Sequence, residues 1–556
     1  MSKHLNEVML AYKAENFAQV YKLLKPILRS GADVGAQFFL MFAQACTKIQ
    51  QFGEAATSYR TAAQLLPDQA EPLRDLAEKL SWKHVETHQV HEIIGLVTAR
   101  KAIRSSNCDE ATWKKYRALL REGLNIDETR IMDQAILDHL HRGDTAYFSL
   151  DTPRQHLTWC DHEALSHAIA APPHQQSERI NRSVEEKSVS PRIKIGYCLG
   201  RASAGSSLHN LIIDIAGRHD RTRFEVWLIT DQSKRIASAG SVKTLSLAKI
   251  PPKAERSAIE AAGFDIIIDA WGHSGDGRPD LLQHRLAPLQ IAIAGFPGPR
   301  HGLICDYFVG DSTTLPPNAQ AFYGQACCHL PDAFIAGLPE KPAASSSRQN
   351  MGIAQETVIL LSLHPIDKIS PKTADIWLQI LKKTDNSLLC MVCDNIRAQF
   401  NFLAWLKRND IAAKRVMFVS PQNSQEQQQL LGIADIALDC FPYNGQFTNI
   451  RALGAGVPLA TFTGGHFASR MSASLLRACG LEKLIVADAQ AYIALMINLA
   501  QNPQVLLDLK KDVQSAVKTA TLFKPDRFTR HLEAAYCTMH QRTIDGIPPS
   551  NFAVEA

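Results

Sequence analysis

The sequence predicts an α/β protein with two Rossmann-like halves, preceded by α-helical repeats. Three observations support this fold class. Short apolar segments alternate with helix-length segments from residue 192 onwards. Two polar, proline-containing segments, 171–191 and 336–355, read as linkers. The first 80 residues show a helical repeat. Regular alternation of strands and helices implies parallel sheets.

The N-terminal segment 1–80 resembles tetratricopeptide repeats. Phe17–Ser30 and Phe52–Leu66 align at a shift of 35 residues. Ala55, Tyr59 and Pro67 have the spacing of that motif, in which small residues allow close helix contact and proline ends the second helix. Two repeats rarely stand alone, so the helical segment 81–170 is expected to cap or connect them. The repeats are either a plain helical docking domain or a groove for a protein partner, and we favour the groove.

Two βαβ series follow the repeats. The first contains predicted strands 192–198, 224–229, 265–269 and 289–294. The second contains predicted strands 358–363, 388–392, 416–419, 436–438, 458–460 and 484–486, with a helix over 467–479. We therefore divide the chain into repeats 1–80, connector 81–170, linker 171–191, half-domain 192–335, linker 336–355, half-domain 356–545 and tail 546–556.

Composition narrows the partners and the compartment. A net charge of +5 over 556 residues is too small to indicate nucleic acid. The N-terminus lacks the apolar run of a signal peptide, and no apolar stretch reaches the roughly 18 residues of a membrane helix. Twelve scattered cysteines fit a reducing compartment, so we expect a cytoplasmic protein with no membrane partner. Cys390 and Cys393 form a CxxC pair, which we interpret as buried strand cysteines rather than a metal site.

The segment from Asp439 to Pro458 carries the strongest functional signal. An apolar strand ends at Leu438, and after a polar loop a helix opens near Thr448. The N-terminus of a helix offers unpaired N–H groups and a partial positive charge, which together bind phosphate oxygens. Gly445 lacks the Cβ that would keep a diphosphate away from the backbone. The loop follows the carboxyl end of a strand, where open α/β sheets bind ligands.

Several blocks in order resemble the O-linked N-acetylglucosaminyltransferase family, its bacterial relatives included, from about residue 190 to 540. The blocks are IKIGY at 193–197, FEV at 224–226, APLQ at 287–290, GFPG at 295–298, DYF at 306–308, LPD at 330–332, DKISP at 367–371, LD at 438–439, NG at 444–445, GAGVP at 454–458 and ASRMSAS at 468–474. FPY at 441–443 and TN at 448–449 are also similar to bacterial cytoplasmic protein N-glucosyltransferases.

The resemblance implies a GT-B fold and a specific chemistry. The family transfers a sugar from a UDP-sugar to a protein side chain, with inversion and without an essential metal or other cofactor. The resemblance therefore implies UDP-glucose or UDP-N-acetylglucosamine as the donor, and a protein as the acceptor. The choice of sugar, of acceptor and of serine, threonine or asparagine stays open.

The resemblance also implies donor-binding residues. Lys368 matches the family lysine that offsets charge on the departing diphosphate. Asn444, Gly445, Gln446, Phe447, Thr448 and Asn449 form the expected phosphate loop, although of the His-Thr-Thr common in the family this chain keeps only the last threonine. Arg451 replaces the family aspartate that grips ribose, and an arginine cannot accept hydrogen bonds from hydroxyl groups. It contacts either the ligand phosphate or a surface carboxylate.

Further residues are expected at the donor loop and on the acceptor side. Gly464, Gly465 and His466 precede a helix and offer backbone amides to phosphate or sugar, with His466 as either a ligand contact or a helix-entry residue. Arg470 is expected to be a structural ion-pair partner. On the acceptor side, His209 and His273 are candidate bases. Of the two family histidines after Tyr197, only His209 remains. Gly295 and Pro297 are expected in a tight turn that presents backbone groups to the ligands.

Two other functions compete with protein glycosylation. Gln446, Arg451 and Gly205 depart from the family pattern, and such departures fit a member with decayed catalysis that binds a nucleotide sugar or a protein. A glycosyltransferase acting on small molecules or cell wall would share the fold, but the N-terminal repeats argue against it. UDP-sugar-dependent protein glycosylation is the leading hypothesis.

Overall fold

The computed structural model describes residues 2–29, 34–88, 90–104, 108–168, 192–201, 205–232, 242–293, 295–338, 348–421 and 423–556. The predicted linker 171–191 lies outside these residues, as do residues 339–347 of the second linker. The chain divides into two compact units. Unit 1 comprises Met1–Gln134, Lys341–Leu438 and Leu495–Leu506, and unit 2 comprises Ala135–Glu340, Asp439–Ala494 and Leu507–Ala556.

The α-helices of the described residues are α1 Ser2–Lys13, α2 Phe17–Arg29, α3 Ala36–Lys48, α4 Phe52–Leu65, α5 Ala70–His88, α6 Val90–Arg104, α7 Glu110–Glu122, α8 Ile126–His141, α9 Pro153–Leu157, α10 Glu163–Ala168, α11 Ser207–Arg218, α12 Pro252–Ala262, α13 Pro279–Leu282, α14 Pro317–Gln320, α15 Pro371–Lys383, α16 Ile396–Arg408, α17 Ser424–Ile433, α18 Phe447–Gly454, α19 Met471–Ala478, α20 Ala489–Gln501, α21 Pro503–Thr519 and α22 Pro525–Ile544.

The strands are β1 Ile193–Gly200, β2 Phe224–Thr230, β3 Lys243–Ser246, β4 Ile266–Asp269, β5 Leu289–Ile293, β6 Tyr307–Asp311, β7 Ala326–Leu330, β8 Val358–Ser362, β9 Ser387–Val392, β10 Val416–Val419, β11 Ile436–Ala437, β12 Thr461–Phe462, β13 Ile485–Val486 and β14 Phe552–Ala553.

Unit 1 begins with helical hairpins that fit tetratricopeptide-like repeats. The predicted shift of 35 residues is confirmed, because α2 begins at Phe17 and α4 at Phe52. The small residues Ala43, Ala55 and Ala62 are fully buried, so neighbouring helices approach closely there. Val8 and Val20 of the first hairpin are buried in the same core.

The α/β portion of unit 1 is a four-stranded sheet in the order β10-β9-β8-β11. All of its strand pairs are parallel, as the βαβ pattern predicts. From β8 the chain adds β9 and then β10 on one side, whereas β11 lies on the other side of β8. β8 and β11 therefore flank the topological switch point of the sheet. Ligands of open α/β sheets bind outside the carboxyl ends of the strands at such a point. Cys390 and Cys393 lie at β9 with 0% and 2% exposure, which confirms buried cysteines.

Unit 2 contains an eight-stranded parallel sheet in the order β14-β7-β6-β5-β4-β1-β2-β3. Its strands 3-2-1-4-5-6 follow the order of a Rossmann-type sheet, and the switch point lies between β1 and β4. β14 belongs to the segment that we interpreted as a tail. It pairs with β7 through Phe552 and Cys328, and Asn551 accepts a hydrogen bond from the Cys327 N–H at 2.7 Å. The predicted tail is therefore partly sheet.

Two predicted element bounds are wrong near the loop segment. The strand predicted at 458–460 forms instead at Thr461–Phe462, where it pairs with β13. The chain after α18 is still closing that helix, because Val457 donates to the Ala452 carbonyl at 2.9 Å and Gly456 has φ +74°. The helix predicted at 467–479 is a 3-10 turn, Phe467–Ser469, followed by α19.

None of the described helices combines the length and the apolar character that crossing a bilayer requires. All twelve cysteines are free thiols. The described ranges also contain no group of three His, Cys, Asp or Glu side chains placed to hold a metal ion.

Candidate functional site

The Asp439 carboxylate organises the predicted phosphate loop of unit 2. Its side chain is fully buried. Oδ1 accepts hydrogen bonds from the main-chain N–H groups of Cys440 and Gly445 and from Asn449 Nδ2, each at 2.9 Å. Oδ2 accepts from the Thr461 hydroxyl at 2.8 Å. One carboxylate therefore ties both ends of the loop to β12, and charge-assisted bonds of this kind are the stronger ones.

Asn444 and Asn449, both predicted ligand contacts, make hydrogen bonds within the protein. Asn444 is fully buried, and its Nδ2 donates to the Cys440 carbonyl at 3.0 Å. Asn449 also donates to the Ser472 hydroxyl at 2.8 Å. The Gly445 N–H, expected to face phosphate, has Asp439 as its acceptor. These three residues shape the loop, and direct ligand contact by them stays a prediction.

The first turn of α18 carries the accessible portion of this loop. Gln446 is the N-cap and makes no side-chain capping bond. Within the described ranges, the main-chain N–H groups of Phe447 and Asn449 have no main-chain acceptor. Phe447 and Thr448 are half-buried, whereas Gln446 and Arg451 are 8% and 9% exposed. The helix start therefore keeps N–H groups for an anion.

The glycine loop 464–466 is bound to a carboxylate of the connector. Gly465 N–H donates to Asp161 Oδ1 at 2.7 Å, and Gly464 N–H donates to the Ser469 carbonyl at 3.1 Å. A Cβ at Gly464 would lie 2.4 Å from Asp161 Oδ2, so only glycine admits this carboxylate. Both amides predicted for the donor have protein acceptors here. Donor binding by the Gly465 amide thus requires Asp161 to move.

His466 enters the helix as a cap. Its Nδ1 accepts from the Ser469 N–H at 3.1 Å, and the Ser469 hydroxyl accepts from the His466 N–H at 3.0 Å. The proton of the neutral ring is therefore on Nε2, a buried atom that has no hydrogen-bond partner. Arg470 forms the expected structural ion pair, with Nη2 2.6 Å from Glu163 Oε2 and both side chains buried.

Gly465→Ala is expected to destabilise unit 2 by about 1–3 kcal/mol. The new Cβ would lie 2.6 Å from the Asp161 carbonyl oxygen, which is backbone and cannot rotate away. Urea unfolding followed by circular dichroism measures the change. Gly275→Ala is the control, since a Cβ there meets no atom within 4 Å. Equal unfolding midpoints for the two variants would contradict the close approach.

The predicted acceptor-side histidines both follow strands that flank the switch point of unit 2. His209 lies in the first turn of α11 after β1, and His273 follows β4. His273 Nε2 lies 2.9 Å from the His301 carbonyl and must donate to it, which leaves the Nδ1 lone pair to accept a proton. His209 is 2% exposed, and its Nδ1 has no partner. Burial lowers the pKa of both rings, so both are neutral near pH 7.

Gly295 joins these elements at the same edge of the sheet. A Cβ there would lie 2.4 Å from the Ala270 carbonyl and 2.6 Å from the Leu208 side chain. The next residue, Phe296, donates its N–H to Ala270 at 2.7 Å. The turn that contains Pro297 is therefore held against the residues after β4 and the start of α11. The structure brings His209, Gly295 and the segment of His273 to one edge.

Lowering the pH from 7.5 to 5.5 is expected to reduce the free energy of unfolding, and part of this loss is expected to come from His466. Burial lowers the pKa of His466 below the value of about 6.5 of an unfolded chain. Between the two values the unfolded chain binds more protons, so stability is full above pH 6.5 and is lost as pH falls, by up to about 1.4 kcal/mol per pH unit.

The matched variant for this test is His466→Asn, which keeps a capping acceptor but does not titrate. Unfolding midpoints at both pH values should show a smaller loss for the variant than for the wild type. Identical losses would mean that His466 does not contribute.

Lys368 lies in unit 1, in a 3-10 turn Ile366–Lys368 that follows β8. Its side chain is 8% exposed. Ser370 then caps α15 by accepting from the Thr373 N–H at 3.1 Å. β8 pairs with β11, and His364 Nε2 donates to the Leu438 carbonyl at 2.9 Å. Lys368 thus follows one of the two strands at the switch point of its own sheet.

Sequence reasoning missed residues that hold the loops. Asp269 ends β4 and accepts from the Trp271 N–H at 2.9 Å, and Asp311 ends β6 and accepts from the Thr313 N–H at 2.7 Å. Asp439 has the same role just beyond β11. Arg300 is buried with Nη2 3.1 Å from the Ile293 carbonyl, and it lies 3.7 Å from Asp269. An aspartate at or just after the end of an apolar strand is the signal that would have found the three carboxylates.

The eight-stranded and four-stranded parallel sheets, each with helices between its strands, and the helical N-terminal segment define an α/β protein of the GT-B type. The structure matches a mutant of the O-GlcNAc transferase of Thermobaculum terrenum with a TM-score of 0.61 and 19% identity, over 98% of both chains. The sequence profile of glycosyltransferase family 41 matches residues 111–341 and 339–532. The chain belongs to glycosyltransferase family 41.

Curated relatives extend this match to plant proteins. A probable UDP-N-acetylglucosamine–peptide N-acetylglucosaminyltransferase SPINDLY of Petunia hybrida is 30% identical over 307 residues, 54% of this chain and 33% of that protein. The probable transferase SEC of Arabidopsis thaliana is 26% identical over 378 residues, 65% of this chain and 38% of that protein. The chain thus spans about a third of the length of these relatives.

Proposed function

We propose that this chain is a UDP-sugar-dependent protein glycosyltransferase of the cytoplasm. It moves a hexose or N-acetylhexosamine from UDP to a protein side chain, with inversion and without a metal ion or another cofactor. Family membership supports the reaction class. The observation that carries the proposal is the start of α18, where a loop tied by Asp439 leaves N–H groups of Phe447 and Asn449 for an anion.

The proposed reaction is a single displacement. The acceptor hydroxyl or asparagine amide attacks the anomeric carbon as the bond from that carbon to the diphosphate oxygen breaks. The electron pair of that bond leaves with UDP, whose developing charge is stabilised by Lys368 and, separately, by the first turn of α18. The acceptor proton passes to a histidine. His273 is the stronger candidate, because its Nε2–H is fixed on a carbonyl and its Nδ1 can accept.

We propose further that the N-terminal repeats bind the protein acceptor. Solenoid repeats stack into extended concave surfaces that commonly serve as binding sites. Thr448 and Arg451 are the proposed side-chain partners of the donor, with Gln446, Phe447 and the backbone of 464–466 and 295–297 beside them. These assignments are tested by single variants in the transfer assay.

Radiolabelled UDP-glucose and UDP-N-acetylglucosamine, each incubated with the pure protein and a lysate of its own host, test the function. Label on protein is the expected outcome, and binding of UDP in a calorimetric titration is the expected first result. UDP binding without transfer or donor hydrolysis would favour a catalytically decayed binding protein instead. His273→Ala should lose more transfer than His209→Ala, and the reverse order would move the base to His209.

A further inference from the structure

Unit 1 contains a cavity of about 1070 Å³. One wall is formed by repeat helices α4 and α5, and the opposite wall by α16, β10 and the start of α17. Its apolar lining includes Phe39, Phe400, Leu403 and Phe418. The volume exceeds the roughly 300–1,000 Å³ of small-molecule sites, so a longer ligand fits it.

Direct contacts hold the two walls together. Arg60 of α4 donates to Gln399 Oε1 of α16 at 2.8 Å. Trp82 of α5 packs on Phe400 of α16, with ring centroids 4.9 Å apart. These contacts fix the spacing of the walls, so the cavity is built into the fold of unit 1.

The two walls carry charges of opposite sign. Glu71, Asp75 and Glu78 face the cavity from α5 at positions i, i+4 and i+7, which lie on one side of a helix. Lys407 and Lys414 line the opposite wall. The repeat wall keeps a net negative charge when Arg60 and Arg74 are counted. The opposite wall keeps a net positive charge when Glu426 is counted.

Five of the lining charges take part in no ion pair of the described residues. Among the ion pairs of the described residues, none involves the three carboxylates of α5, and none involves Lys407 or Lys414. Arg408, which also lines the cavity, pairs with Asp127 at 3.1 Å, and both side chains are exposed. Unpaired charges on facing walls create a field across the cavity that an uncharged or single-sign ligand does not match.

We propose that this cavity binds an extended polypeptide segment whose charged residues alternate in sign. Successive side chains of an extended chain point to opposite sides. Lysine or arginine at every second position would face the α5 carboxylates, while aspartate or glutamate at the positions between would face Lys407 and Lys414. Apolar stems of these side chains would cover Phe39 and Phe400. The cavity is walled by the repeats that we propose as the acceptor-binding segment, so this inference rests on that part of the proposed function and specifies the chemistry of the bound peptide.

Two fluorescein-labelled peptides of about ten residues test the proposal. One alternates lysine and glutamate, and the other has the same composition with all lysines before all glutamates. Fluorescence anisotropy with the full chain, without any UDP-sugar, should give at least about tenfold tighter binding of the alternating peptide. Equal affinities, or no binding of the alternating peptide up to about 1 mM, would overturn the proposal.

Charge reversals locate the binding. Asp75→Lys/Glu78→Lys should weaken the alternating peptide about tenfold, and Lys407→Glu/Lys414→Glu should do the same from the opposite wall. Glu7→Lys/Glu356→Lys is the matched control, because both residues are exposed in unit 1 and neither lines the cavity. Circular dichroism confirms folding of each variant. An equal loss in the control would assign the binding to overall charge and reject the cavity.

Discussion

Lys368→Ala is expected to lower sugar transfer by about 10²–10³-fold while the protein stays folded. The lysine lies in a short turn after β8, with the side chain largely buried, so its ammonium group has a restricted position. A fixed cation stabilises charge that develops on a departing diphosphate without reorganisation in the transition state. Because the same charge attracts the bound nucleotide, UDP affinity should fall as well.

Lys372→Ala is the matched control for this experiment. It removes the same charge four residues later, from an exposed position in the first turn of α15. Transfer rates, UDP calorimetry and circular dichroism are compared for both variants. A folded Lys368→Ala protein that keeps a third or more of wild-type transfer would remove Lys368 from the mechanism. Loss of transfer with unchanged UDP affinity would confine its role to the transition state.

Asp439→Ala is expected to destabilise unit 2 by about 3–5 kcal/mol and to abolish UDP binding. The substitution leaves four buried donors without their acceptor, namely two main-chain N–H groups, the Asn449 amide and the Thr461 hydroxyl. Without these bonds the loop before α18 loses its conformation, and the N–H groups at the helix start lose their alignment for phosphate.

A graded series separates this effect from general damage. Asp439→Asn keeps one oxygen acceptor and should cost less than alanine, and Thr461→Val removes a single bond, worth about 1 kcal/mol. The order alanine, asparagine, valine should hold both for urea unfolding midpoints and for UDP affinity. An Asp439→Ala protein with a wild-type midpoint would show that the carboxylate does not support the loop.

Local sequence patterns predicted most of the secondary structure because they reflect local physics. Apolar segments such as 416–419 become strands with the predicted bounds, and Ser370 before Pro371 starts α15 where a cap followed by proline should. The observed strand bounds differ from the predicted ones where residues after a helix still hydrogen-bond to that helix, as Val457 does. The repeat could be predicted because Phe17 and Phe52 each begin a helix.

The partners of the loops could not be predicted in the same way. Asp161 lies 304 positions from Gly465 in the chain, and no pattern in either segment indicates that its carboxylate accepts the glycine N–H. The same holds for Gln399 and Arg60 across the cavity, and for the strand that the C-terminal segment adds beside β7. Such contacts depend on where the whole chain returns, which local propensity does not encode.

By itself the sequence determined the order of elements, the repeats, the family and the loop at the start of α18, because periodicity and short motifs lie within a few residues of one another. Only the tertiary structure decided that Asn444 and Asn449 face inward and that Asp161 accepts the hydrogen bond of the Gly465 N–H. It also decided that two charged walls face each other in unit 1. A side chain's direction and its partner depend on the packing of distant segments, and burial makes any unpaired donor or acceptor costly enough to select one arrangement.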